Sequence, residues 1–121
     1  MANKLELQFQ SKCFQWWWNT YGRFDYYGRL FRIKNELDSF GGSGLTRMKQ
    51  LSENLATGIV PGVGDACFMC RGFVIFIEFK QGGNKQSDKQ IEFERTCFAF
   101  GHLYKVVETL DEFKALITDF L

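Results

Sequence analysis

The sequence has no apolar run of the ~18 residues that a membrane-spanning helix needs. Its longest, Phe73–Ile77 continued to Phe79, is interrupted by the charge of Glu78. The start of the chain lacks the basic-then-apolar layout of a secretory signal, so a soluble, cytoplasmic protein is expected. There is almost no charge imbalance: 15 Lys and Arg against 14 Asp and Glu leave a net charge of +1. Partners of polyanions usually carry a basic surplus, so any such charge must be local here or doubled by dimerisation. No second cysteine pair follows Cys67-Phe-Met-Cys70 at zinc-finger distance. Strand alternation would also point those two thiols to opposite faces. Cys13, Cys67, Cys70 and Cys97 therefore read as reduced, mostly buried thiols. The one histidine, His102, lies away from the Asp65 and Glu78 positions in the expected topology and reads as structural or exposed.

What is present is a single domain's worth of chain, residues 1–121, with 45% hydrophobic and 24% charged residues. Aromatics reach 17% and include 14 Phe, so the core is expected to be built from large rings. A first helix is expected from Lys4 to about Asn19, capped by Asn3 with Glu6 three residues on. Its apolar stripe is Leu5, Phe9, Cys13 and Trp16, widened by Phe14 and Trp17. Arg29–Lys34 reads as a strand, and the loop Phe40–Gly44 leads into a helix over Leu45–Ala56 that stops at Gly58. Asp65–Cys70 and Phe73–Lys80 form a tight hairpin around Arg71-Gly72. Ser87 caps a third helix with Gln90 at the capping-box position, His102–Val107 is a fourth strand, and Thr109 caps a last helix with Glu112 in the equivalent place. The order α, β, α, β, β, α, β, α implies an α/β layered domain.

The chemistry concentrates between Pro61 and Gln90. Phe73–Lys80 is almost wholly apolar, as a buried central strand should be, yet it ends Glu78-Phe-Lys80. Residues two apart on a strand share a face, so Glu78 and Lys80 project together and Phe79 faces the opposite layer. If Cys70 pairs with Phe73 across the turn, the ladder sets Asp65 opposite Glu78, with Cβ atoms about 4.5–5.5 Å apart. Two carboxylates that close raise each other's pKa unless a cation lies between them. A hard divalent ion such as Mg²⁺ resolves the conflict with oxygen ligands, and can acidify a water and neutralise phosphate charge. The alternative is a surface ion-pair cluster at a sheet end. Burial of the rest of the strand, and the open backbone at Gly62, Gly64, Gly82 and Gly83, favour a site.

In order, Gly58-Ile-Val-Pro-Gly-Val-Gly-Asp65, Ile77-Glu-Phe-Lys80 and Ser87-Asp-Lys-Gln90 resemble the VRR-NUC family of the PD-(D/E)xK nuclease superfamily. Lys34-Asn-Glu36 resembles a further short element of phage-type members. The likeness spans about Glu6 to Phe113. Gly64 stands where the family has proline before the aspartate, and Lys34 where the shorter element has its proline.

The resemblance implies a restriction-endonuclease-like fold and Mg²⁺- or Mn²⁺-dependent hydrolysis of DNA. It implies Asp65, Glu78 and the carbonyl of Phe79 as metal ligands, Lys80 as the catalytic lysine, and Gln90 as the helix glutamine. Glu6 is the candidate for the acidic residue on the first helix, though a capping role explains it as well; Gln90 carries the same two readings. Glu36 either supports the metal's water shell or simply ends a strand. Arg29, Arg32, Lys34, Arg47, Lys49, Lys85 and Lys89 form either a phosphate-contacting rim or an ordinary solvated surface.

Short stand-alone members look like junction-resolving enzymes, which points to branched DNA such as Holliday junctions and to a phage source. Paired nicks at a junction call for a twofold homodimer. Trp16-Trp-Trp18 exceed what one helix face can bury, since successive residues lie about 100° apart. They read as core plus dimer interface, or as a stacking platform for unpaired bases. Flap, nicking or restriction-type nucleases, and a non-catalytic module that binds structured DNA, are the competing functions.

Overall fold

The computed structural model describes residues 4–33, 44–83 and 85–121. Asn3, Lys34, Glu36 and most of the Phe40–Gly44 loop lie outside them, as does the Arg47 side chain. Four helices and a four-stranded sheet follow the expected order: α1 (Lys4–Trp17), β1 (Arg29–Arg32), α2 (Gly44–Ala56), β2 (Ala66–Met69), β3 (Val74–Phe79), α3 (Asp88–Ala99), β4 (Leu103–Val107) and α4 (Leu110–Asp119).

The strands lie side by side in chain order, β1-β2-β3-β4. The first two neighbouring pairs are antiparallel and β3–β4 is parallel. A tight turn suffices for the hairpin, and the amide of Cys70 donates to the Phe73 carbonyl at 3.0 Å. A parallel neighbour requires a crossover, which α3 provides.

Alternation divides the sheet residues between two layers. Leu30, Ala66, Phe68, Ile75, Ile77, Phe79 and Val107 are buried in the main core with Phe9, Cys13 and Trp17 of α1 and Phe113 and Ile117 of α4. The rings interlock, Phe79 with Phe9 and Trp17 with Phe68 edge to face. Phe79 meets Phe9 at 5.5 Å and Phe113 at 5.8 Å between centroids, and Trp17 meets Phe68 at 5.1 Å, within the range where aromatic pairs add to area burial. The other face of β3 and β4 carries Phe76, Glu78 and Tyr104 and is covered by α3, with Phe93 seated 5.0 Å from Phe76.

The helix ends differ from expectation at one place. α1 stops at Trp17 and continues as a π-helical turn over Trp18–Gly22. That wider turn brings Tyr21 against both Trp16 and Trp17 at 5.9 Å. Trp17 is buried, Trp16 half-buried against Phe113, and Trp18 remains 53% exposed. The inward stripe is Phe9, Cys13 and Trp17, spaced by four, while Leu5 is exposed.

All four cysteines are free. Burial pushes the Cys13 thiol up to about 12 and that of Cys67 to about 11. His102 sits at the far end of β3, where its Nδ1 accepts the Val74 amide proton at 3.1 Å, in keeping with its structural reading.

Candidate active site

β2 and β3 pair in the expected register, Ala66 opposite Ile77 and Cys67 opposite Phe76. At Asp65 the chain leaves the regular ladder. The Asp65 amide still donates to the Ile77 carbonyl at 2.8 Å, and its carbonyl accepts from Ile33 at 2.8 Å. Its side chain then replaces the next backbone acceptor: Oδ2 takes the Phe79 amide proton at 2.9 Å. The aspartate is thus anchored through main chain and side chain beside the end of β3.

Two glycines bring the approach to Asp65 into place. Gly64 has φ of +100°, outside the range proline can adopt, and a Cβ there would come within 3.2 Å of the Ile77 carbonyl oxygen. The departure from a proline at this position therefore reflects a differently built turn. At Gly62, φ +82°, a Cβ would overlap the backbone of Lys89 and Gln90. The turn can dock on the first turn of α3 only because that side chain is missing.

The α3 N-terminus is held by a complete capping box. Ser87 Oγ accepts the Gln90 amide proton at 3.2 Å, and Gln90 Oε1 accepts that of Ser87 at 2.8 Å. Gln90 also lies near enough to Glu78 to favour its charged form. The capping and site readings of Gln90 are therefore compatible: its acceptor end caps the helix while the side chain reaches the glutamate.

Glu78 is 8% exposed. Its carboxyl is pushed up to about 7, first by burial and then by the charge of Asp65; Lys80 and Gln90 pull the other way. Lys80 Nζ lies 3.5 Å from Glu78 Oε1, on the same face of the strand. The Lys80 amide donates to the Val107 carbonyl at 3.0 Å, which ties the lysine's backbone to β4. Two carboxylates, one ammonium and one amide thus converge, and the buried carboxylate is electrostatically under-compensated.

Other expected members stand further out. Glu6 is half-buried on the first turn of α1. Among the described residues no three acidic, histidine or cysteine side chains form a group that could hold a metal ion. Lys49, Lys85 and Lys89 are exposed, Lys89 beside Glu92 at 3.6 Å, and Arg29 pairs with Asp25.

Two residues not singled out from the sequence face this region. Glu94 lies one turn beyond Gln90 on α3 and accepts from Gln86 Nε2 at 3.4 Å. Tyr104 on β4 has Glu78, Asp65 and Glu94 as its charged neighbours. The i+4 step from Gln90 could have indicated Glu94; Tyr104 requires knowledge of the parallel β3–β4 pairing.

No helix among the described residues is long and apolar enough to cross a membrane. No family model and no curated protein matches the chain. Among solved structures, a VRR_NUC domain protein is similar: 15% sequence identity and a TM-score of 0.71, with 100% of this chain and 91% of that chain covered. The four-stranded mixed sheet and its flanking helices are thus, along the whole chain, the fold of a VRR_NUC domain protein.

Proposed function

We propose that the chain is a VRR-NUC-type nuclease that hydrolyses phosphodiester bonds in branched DNA with a divalent cation, Mg²⁺ or Mn²⁺. The observation that carries this reading is the placement of Asp65, anchored on the Phe79 amide, near the buried Glu78 and Lys80 at the end of an otherwise apolar strand. The donor set fits a hard cation: its side-chain ligands are carboxylate oxygens, and positive charge between them would relieve the electrostatic pressure on Glu78. Asp65 and Glu78 would hold the ion with the Phe79 carbonyl, and Glu6 or Glu36 are the candidates to complete the set. When bound, such an ion supplies charge neutralisation at the phosphate and acidifies a water.

The chain's own groups do the rest. The Phe79 amide orients Asp65, and Gln90 orients Glu78 from a helix end that is itself locked by its cap. Lys80, a neighbour rather than a ligand, directs its ammonium toward the attacking water or the charge that develops on phosphorus. Arg47, Lys49, Lys85 and Lys89 are the candidates for phosphate contacts. A twofold homodimer would give the paired nicks that a four-way junction demands and double the modest basic charge of one subunit. The exposed Trp18 lends it an apolar surface.

The test is a cleavage panel of four-way, flap, nicked and linear DNA with Mg²⁺ and Mn²⁺, alongside light scattering at micromolar concentration. Preferential, symmetric nicking of the four-way junction by a dimer is expected. A monomer that cuts only flaps would replace the junction-resolving role with a flap-nuclease one. Absence of cleavage on every substrate would overturn the nuclease reading.

A further inference from the structure

Tyr104 presents a cost with no return inside the fold. It is only 5% exposed, and its hydroxyl has no hydrogen-bond partner. Leaving a buried donor unsatisfied is unfavourable, and such groups in native proteins call for an explanation. Phenylalanine would fill the same space, and this chain uses phenylalanine freely: Phe76 stands directly opposite Tyr104 on β3, and Phe93 packs on its ring at 6.1 Å.

The location of the hydroxyl supplies the explanation. In the parallel β3–β4 register, Val106 lies opposite Glu78 and Tyr104 lies two residues before it. Both face α3, roughly 6.6 Å apart along the strand, a span that a phenol bridges. Glu78 is the strongest of the charged neighbours of Tyr104, ahead of Asp65 and Glu94. The buried donor therefore has carboxylates for its charged neighbours and is bonded to none of them.

We propose that Tyr104 is a positioning residue of this site, whose hydroxyl donates to the Glu78 carboxylate when that carboxylate turns to hold a divalent cation. The inference rests on the metal-dependent reading of Asp65 and Glu78 and names a further residue that serves it. In the loaded site the hydroxyl restrains the glutamate together with Lys80 and Gln90. It touches neither DNA nor cation.

The test uses Tyr104→Phe, which removes one oxygen, with wild type and Asp65→Asn measured beside it. Mn²⁺ affinity is read by calorimetry and by the Mn²⁺-induced rise in Tm, and metal-free Tm is read in chelator. Tyr104→Phe should have a metal-free Tm equal to or above wild type, because an orphaned hydroxyl is gone. Its Mn²⁺ affinity should be about tenfold weaker, the size typical of losing a group that orients a ligand. With saturating Mn²⁺, kcat should fall while KM for DNA holds. A lowered metal-free Tm would make the hydroxyl a structural group and overturn the proposal. So would wild-type Mn²⁺ affinity in Tyr104→Phe while Asp65→Asn loses binding. If wild type and Asp65→Asn both ignore Mn²⁺, the metal site itself fails and the role of Tyr104 falls with it.

Discussion

Glu78 and Phe79 are neighbours in the chain and occupy opposite worlds. Phe79 is 1% exposed, with the rings of Phe9, Phe14 and Phe113 around it. Glu78 is 8% exposed among Asp65, Lys80, Gln90 and Tyr104, with its carboxyl pushed up and a buried hydroxyl close by left without a partner. The same strand thus stabilises the domain through one face and stores unfavourable electrostatics on the other. Stability and chemistry are separated here by a single residue, because alternation gives each face its own solvent.

The sharpest way to break that contrast is to neutralise the polar face. Asp65→Asn or Glu78→Gln should abolish DNA cleavage in gel assays while DNA binding in band-shift assays stays equal or tightens, since each removes a negative charge that faces phosphate. Wild-type cutting by either variant would return the cluster to the status of a surface ion pair. On the apolar face, Phe79→Ala should lower stability by about 3–5 kcal/mol in denaturant titrations. The loss should be the same with and without Mn²⁺, because the cavity lies in the other layer.

The pH dependence of metal-free stability offers a third comparison. The Glu78 carboxyl is raised from 4.5 to about 7 in the fold. The folded state then binds a proton that the unfolded chain has released, so stability should fall as pH rises from about 4.5 to 7 and level off beyond. The full shift corresponds to at most about 3 kcal/mol. Urea titrations in chelator should give this slope for wild type and lose it in Glu78→Gln, whereas Phe79→Ala should keep it.

The smallest expected effect concerns the turn that carries Asp65. Gly64→Ala should cost about 1–2 kcal/mol, the strain of a side chain at positive φ, and should weaken Mn²⁺ binding. An exposed positive-φ glycine such as Gly72, at the far end of the hairpin, should show the strain without the loss of metal affinity.

Local physics made much of this legible in advance. The Ser87–Gln90 box, the Arg71-Gly72 turn and the alternation of Phe73–Lys80 each depend on residues within a few positions of one another. Cap, turn and ladder register could therefore be placed from spacing. The register in turn set Asp65 near Glu78. Where the expectation was incomplete, the missing piece was non-local. At Asp65 the ladder gives way to a carboxylate that takes the Phe79 amide proton, which no periodicity announces.

By itself the sequence determined the element order, the hairpin and which strand would carry Glu78 and Lys80 on one face. Periods of two and 3.6 residues and the preferences of caps and turns act over short stretches of chain. Only the tertiary structure decided that β4 would lie parallel beside β3, that Gly62 would let its turn rest on the start of α3, and that Tyr104 would be sealed beside Glu78. Those outcomes come from long-range packing. Their favourable energy is shared among residues far apart in the chain, so no local pattern records which partner each one will meet.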